Sequence, residues 1–454
     1  MSRFRVSGDT RITARGSHGP HKGSGGHTVE VEGPATPVMP ANLSPLDFPK
    51  PWLYYGTNGA GSELMTAPGV FDSALVTSVA RFPLVTLNTT PFANAGGGNR
   101  GIIALLKAIR PTMRILWYDT FVSRFLFATA NTQWKAEWDA VVASSPDCRF
   151  YFESDGTGYP NHAATPIFID TGKIKEALFT AWIAYAGADV DADGFFLDYA
   201  DGILALGSTQ IDLARAGYAN INELNASAKA GLDYVVDGLA TLGEVWGNGL
   251  ADADSMARWT GRLFEGWDRD GGLGSRTPLG FATFDDAMNE IMEWQGATPT
   301  ANGTCLLKSE NAGTSYGTNA WFKMQRYTLG CATVGGGYGY TGDNRNESNL
   351  VPDDADMWAD EYSVISGASE TTGIGIGWLG RPTEFGYKDS GSGLYIRHFD
   401  NGVVVANASA AQKTIDLGTQ YRRINGSLQP SVNDGSLVQS VTVPHKDARF
   451  LLSV

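Results

Sequence analysis

Residues 194–202 read Gly-Phe-Phe-Leu-Asp-Tyr-Ala-Asp-Gly. A short apolar run ends abruptly at Asp198, and a second carboxylate, Asp201, follows three residues later. A run this apolar and this short predicts a strand covered on both faces, as in a parallel sheet. Parallel sheets bind ligands at the carboxyl ends of their strands. Asp198 is therefore placed for chemistry rather than for solubility.

The same kind of run recurs. Trp52-Leu-Tyr-Tyr55, Leu84-Val-Thr-Leu87, Arg114-Ile-Leu-Trp-Tyr118, Arg149-Phe-Tyr-Phe152, Gly194-Phe-Phe-Leu197, Glu244-Val-Trp246, Arg262-Leu-Phe264 and Thr304-Cys-Leu-Leu307 all read as strands. Between most of them lie stretches with apolar residues at i, i+3 and i+4: 100–109, 132–143, 173–186, 211–242, 283–294 and 320–327. Phe284-Asp-Asp supplies an acidic first turn that suits the helix dipole. Eight strands alternating with helices predict an α/β fold, a (β/α)8 TIM barrel over residues 47–345. A doubly wound open sheet shares the alternation and is the alternative. No Gly-x-Gly-x-x-Gly follows the first strand, which argues against dinucleotide binding.

The period changes near residue 378. Leu394–Phe399, Val403–Ala406, Thr414–Leu417, Gln439–Val443 and Phe450–Val454 are short strands separated by turn signals, including Asp400-Asn401-Gly402, whose residues tolerate positive φ. This predicts a small antiparallel β-sandwich over 378–454. Residues 346–377 read as an irregular connection, and the whole Gly-rich stretch 331–377 as irregular apart from Met357–Tyr362. There, Asp360-Glu361 reads as a helix surface, with a pair of acids at the rim of a site as the rival. At the other end, residues 1–46 are basic, then low-complexity at 16–27, then proline-spaced. They read as an extended leader or linker, or as an arm that docks on a larger assembly.

The strand ends collect polar groups. In order they are Tyr55, Asn88, Asp119, Glu153 with Asp155, Asp198, Asn248, Glu265, and Lys308 with Glu310. A ring of such endings predicts a polar cleft. Asp198 and Glu265 stand out, as they end the fifth and seventh runs and leave one strand between them. Glycoside hydrolysis uses two carboxyl groups, one to protonate the leaving oxygen and one to attack the anomeric carbon or activate water. The chain also has 12 Trp and 17 Tyr. Flat rings suit the apolar faces of sugars, and Tyr55, Trp246 and Trp267 are candidates for that contact. Asn88, Asp119, Asp155, Asp201, Asn248 and Glu310 are candidates for hydrogen bonds to substrate. Lys308 could instead form a Schiff base in a barrel enzyme of another class, such as an aldolase.

Other chemistries are excluded or weak. Three cysteines (Cys148, Cys305 and Cys331) make no disulfide framework, and Cys148 and Cys305 read as small buried hydrophobes. The six histidines have no metal-ligand spacing. Asp189-Val-Asp191-Ala-Asp193-Gly194 imitates the start of a calcium loop, but Ala200 stands where a bidentate Glu is needed. No cofactor and no metal are expected. A net charge of −14 argues against broad nucleic-acid binding. No stretch reaches the ~18 apolar residues of a membrane span, and the N-terminus shows no apolar secretory segment.

Gly-Phe-Phe-Leu-Asp-Tyr-Ala-Asp-Gly, after an amphipathic helix and the turn Gly187-Ala-Asp189, resembles the Gly-Phe-Asp-Gly-Val-Phe-Leu-Asp segment of barrel glycosidases. These are the hypothetical glycosyl hydrolase families and the endo-polygalactosaminidase-like group. The tail from Tyr395 to Ser409 is similar to the Arg-x-Phe-x-Asn-Gly-x-Val-x-x-Asn strand–turn–strand of the β-domain that follows such barrels. The resemblance extends over residues 50–454 in layout. It implies a glycoside hydrolase with Asp198 as catalytic carboxylate and Glu265 as its partner. The partner molecule would be a polysaccharide or a cell-surface glycan. The rival reading is a structural or receptor-binding component of a phage tail or surface assembly that grips glycans without turnover. Both readings give an extracellular or virion-associated location, with the cytoplasm as the alternative.

Overall fold

The structure is a computed structural model. It describes residues 47–55, 65–67, 70–88, 100–120, 123–125, 143, 166–168, 171–186, 192–198, 213–248, 258–267, 283–295, 305–309, 315–342 and 357–454, and the backbone of the strand segments at 2–6, 10–14 and 28–32. The expected strand at 149–152 and the expected helix at 132–142 lie outside these residues.

Eight strands form the barrel: β1 (Trp52–Tyr55), β2 (Leu84–Asn88), β3 (Arg114–Thr120), β4 (Gly194–Asp198), β5 (Glu244–Gly247), β6 (Gly261–Glu265), β7 (Cys305–Ser309) and β8 (Tyr338–Thr341). They are hydrogen-bonded in chain order from β1 to β8, with helix α1 (Ser73–Ala80) before β2 and helix α2 (Arg100–Ile109) after it in the chain. A parallel bridge between Pro51 and Gly339 joins the last strand to the first, with the Gly339 N–H donating to the Lys50 carbonyl at 3.1 Å. The sheet therefore closes, and the open doubly wound alternative is set aside.

Two expectations about the strands are corrected. β3 and β4 pair directly, Gly194 with Leu116 through Asp198 with Thr120, so no strand from 149–152 can stand between them. Asp198 thus ends the fourth strand and Glu265 the sixth. The eighth strand, Tyr338–Thr341, lies inside the stretch expected to be irregular. Its glycine is a packing requirement: a Cβ on Gly339 would sit 2.7 Å from the Leu329 Cα of the helix behind it. Composition there signals a loop, while close helix–strand approach is what needs the small residue.

Contacts divide the chain into two units. One comprises 86–103 and 115–262. In it, helices α3 (Thr171–Ala186) and α4 (Ile221–Ala240) pack together, with Phe179 and Tyr234 edge to face at 6.0 Å. Asn220 caps α4 by accepting from the N–H groups of Asn222 and Glu223, and Glu223 reaches back to the Ala219 N–H. The expected single helix at 211–242 is interrupted at Gly217, which has a φ of 83°. Asp193 ends the Asp-rich lead-in by accepting from the Ile115 N–H at 2.7 Å, which ties the lead-in to β3.

The other unit comprises 1–85, 104–114 and 263–454. Segments Ser2–Val6, Thr10–Ala14, Thr28–Glu32, Met65–Ala67 and Val70–Asp72 form a five-stranded sheet within it. Helix α5 (Phe284–Glu293) starts at the acidic turn read from sequence, with Thr283 as its N-cap. Helix α6 (Asn319–Gly335) runs eight residues past its expected end to a left-handed Gly336 cap. It is buried along most of its length because β7 and β8 cover one side and the C-terminal strands another.

Those strands are β9 (Tyr387–Lys388), β10 (Tyr395–Phe399), β11 (Gly402–Asn407), β12 (Lys413–Arg423), β13 (Leu437–Val443) and β14 (Asp447–Ser453). They form one antiparallel sheet in the order β9-β10-β11-β14-β12-β13. A register shift between Asp416 and Tyr421 breaks β12, and Val441 and Val443 join Leu394, Ile396, Val403, Val405 and Leu451 in one apolar cluster. The expected sandwich is thus a single sheet folded over its own core. The 400–401 turn is where the sequence placed it, but neither Asp400 nor Asn401 has a positive φ. Gly402 serves close approach instead, since a Cβ there would meet the Leu451 carbonyl oxygen at 2.0 Å.

Asp360 and Glu361 are not on a surface. Each is 1% exposed. Asp360 accepts from the backbone N–H groups of Ser427, Leu428 and Gln429, while Glu361 accepts from Asn433 at 2.8 Å. A carboxylate can be buried when donors replace its water, which periodicity alone does not reveal. Behind them Arg326 of α6 makes a bidentate pair with Asp447 of β14 at 2.9 and 3.3 Å.

Two outcomes are expected. Gly339→Ala forces the α6–β8 contact apart and lowers stability by about 1–3 kcal/mol, read by denaturant unfolding. Burial pushes the Glu361 carboxyl up, against the opposing pull of Arg326 and Asn433. A raised folded value favours the protonated form, so this group's contribution is present below the ordinary carboxylate range and is lost as pH rises through the raised value. Glu361→Gln should therefore gain more stability over wild type at about pH 7 than at about pH 4.5, measured by thermal unfolding.

Candidate active site

The strand ends carry the residues that sequence singled out. In the 86–103/115–262 unit, the backbone puts Asp119 opposite Leu197 and Asp198 opposite Thr120. The Asn248 N–H donates to the Leu197 carbonyl at 2.9 Å. Asp119, Asp198 and Asn248 therefore sit at the same end of three adjacent strands. Tyr118 and Phe196 stack beneath them at 5.7 Å. Asn88 ends β2. Trp246 is fully buried, and its indole N–H donates to Glu244 at 3.0 Å. It is a core residue here rather than a sugar platform.

In the other unit, β6 ends in Glu265 and the neighbouring β7 carries Lys308. The Lys308 ammonium donates to Glu265 Oε1 at 2.7 Å. Lys308 also lies over the face of Tyr54, 4.5 Å from the ring centroid. Tyr54 packs against Tyr340 of β8 at 6.3 Å and against Trp52 at 5.4 Å. Burying an ammonium is costly unless it is paired; here a carboxylate and an aromatic face do so. Lys308 is 8% exposed, whereas the Glu265 side chain keeps 26% of its surface. The backbone is pinned as well, because the Trp267 N–H donates to the Lys308 carbonyl at 3.0 Å.

Trp267 does not open onto solvent. It is 5% exposed and stacks on Tyr327 at 6.3 Å, with Phe264 and Phe284 against its edges. It too belongs to the core. Tyr55 ends β1. Glu153, Asp155, Asp201 and Glu310 lie outside the described residues, as does Cys148. Tyr54 and Tyr340 were missed by sequence reasoning. The alternation Tyr338-Gly-Tyr-Thr was the available signal for Tyr340, hidden by the glycines around it.

Three further groups lie away from these strand ends: Cys305 at the start of β7, Cys331 within α6 and Lys50 just before β1. Burial pushes the Cys305 thiol up to about 12, and Cys331 likewise. Both are fully buried, as expected for Cys305. Lys50 is held well below its ordinary value by burial and by Arg114 and Arg397, with its ammonium nitrogen 4.1 Å from the Phe48 ring centroid. Among the described residues no group of His, Cys, Asp and Glu could hold a metal ion, and no helix is long and apolar enough to cross a membrane.

A closed parallel barrel whose strands end in carboxylates and amide groups is an enzyme scaffold of the TIM-barrel type. Residues 107–403 match the model of hypothetical glycosyl hydrolase family 15, and the chain belongs to that family. Membership supports glycosidase activity, and family and fold together point to a function on carbohydrate. Solved structures similar to the chain include Amy13B of Eubacterium rectale (11% identity, TM-score 0.46, 92% of this chain and 97% of that one). Another is the glycoside hydrolase domain of PelA from Pseudomonas aeruginosa (13% identity, TM-score 0.38, 66% and 96%). A third is a pullulanase from Bacillus acidopullulyticus (12% identity, TM-score 0.46, 91% and 61%). No curated protein matches the sequence.

The Lys308–Glu265 ion pair bears on the Schiff-base alternative, because the amine is already engaged as a donor. Treatment with pyruvate and borohydride is expected to leave the Lys308 peptide unmodified, as read by mass spectrometry.

Proposed function

We propose that this protein hydrolyses glycosidic bonds of a polysaccharide, with Asp198 and Glu265 as its two catalytic carboxyl groups. Membership of a glycosyl hydrolase family carries the proposal. Asp198 ends β4 and Glu265 ends β6, with β5 between them in the sheet order. In such a reaction one carboxyl gives its proton to the leaving oxygen as the C–O bond breaks. The other supplies an electron pair, either to the anomeric carbon or to a proton of the attacking water.

Asn248, at the strand end next to Asp198, is assigned to hydrogen bonds with sugar hydroxyls. Tyr55, Asn88, Asp119, Asp155, Asp201 and Glu310 remain candidates for the same work. A polymeric substrate fits action outside the cell.

The test is reducing-sugar release from soluble starch, laminarin, xylan and chitosan. Asp198→Asn and Glu265→Gln are each expected to cut the rate roughly 10²–10⁴-fold, with circular dichroism unchanged. Full activity in either variant removes that residue from the chemistry.

A further inference from the structure

We infer that Lys308 is a positioning residue, and that it works by fixing the carboxylate of Glu265. The inference rests on the proposed role of Glu265.

Three observations support it. The first is placement. Lys308 is the fourth residue of a strand whose first three, Cys305, Leu306 and Leu307, are fully buried, and it is 8% exposed itself. An ammonium in that position costs stability unless a partner replaces its water. A lysine on such a strand therefore has a specific job, because an apolar residue would satisfy the barrel better.

The second is direction. The nitrogen donates to one oxygen of Glu265 at 2.7 Å, within the range of a charge-assisted bond. The same carboxylate keeps 26% of its surface, so it is held from within while remaining open to a ligand.

The third is that Lys308 holds both the Glu265 side chain and the backbone just beyond it. The Lys308 carbonyl accepts from the Trp267 N–H at 3.0 Å, which ties the chain two residues beyond Glu265 to β7. Gly266 between them takes a φ of 72°, so the chain turns sharply just after the carboxylate. Lys308 itself is steadied by the Tyr54 ring at 4.5 Å and by its register with Tyr340. The long, flexible lysine stem is thereby confined, and the carboxylate inherits that order. A displacement of about 1 Å at a reacting group can cost roughly 10²-fold in rate. That is the effect at stake.

The backbone grip survives any side-chain substitution, so Lys308→Met removes the ammonium while keeping length and apolar volume. Wild type, Lys308→Met, Glu265→Gln and the double variant are compared for reducing-sugar release from the four polysaccharides named above. Lys308→Met should lower kcat roughly 10²-fold with KM nearly unchanged, and Lys308→Arg should restore much of the loss. Adding Lys308→Met to Glu265→Gln should cost nothing further, because residues that act as a unit are not additive. A second readout needs no turnover: carbodiimide-driven coupling of glycine ethyl ester to Glu265 should run several times faster in Lys308→Met than in wild type. Additive losses in the double variant, or unchanged coupling, overturn the role of Lys308. A fully active Glu265→Gln overturns the functional reading instead, and the coupling rate then still decides whether Lys308 restrains that carboxylate.

Discussion

The bond from the Gly339 N–H to the Lys50 carbonyl is where the eight-stranded sheet meets itself. Without it β1 and β8 would be edges, and an uncovered edge exposes unpaired backbone groups. The bond requires β8 to lie close to both β1 and α6, and residue 339 can do so because it has no side chain. A closed parallel sheet brings its strand ends to a common rim. The candidate chemistry at Glu265 and Lys308 therefore depends on a contact made by residues with no chemistry of their own.

Three buried charges are stabilised by protein groups that replace their water. Asp360 accepts three backbone N–H groups, Arg326 forks onto Asp447, and Lys308 takes Glu265 and a tyrosine face. The first two lie between α6, the segment around 360 and the C-terminal sheet, where they fasten elements together. The third is different because one member stays partly open to solvent. A fully enclosed ion pair can only hold the fold, whereas a half-open one can present a carboxylate to a ligand.

Much of the architecture was legible before any coordinates. The β4 run Gly-Phe-Phe-Leu-Asp, the acidic start of α5 and the turn at 400–401 all appear where periodicity and turn chemistry put them. Sequence and structure part where one residue type serves two purposes. Glycines at 335–339 signal a loop by composition, yet they are the condition for a strand packed tightly on a helix. Gly402 signals a turn and serves as a point of close approach. Asp360 and Glu361 have the spacing of a surface, and their burial depends on donors some seventy positions away in the chain. The apolar run at 149–152 looks like a barrel strand by itself, yet β3 and β4 leave no room for it.

The sequence by itself determined the class of fold and the residues that end the strands. Those properties are local: short apolar runs, helical spacing and the polar residue that stops each run. Only the tertiary structure decided that Trp246 and Trp267 are core, that Tyr340 belongs beside Tyr54, and that Lys308 donates to Glu265 across forty-three positions. A side chain's partners across neighbouring strands follow from register and closure, and these are properties of the assembled sheet rather than of any one segment.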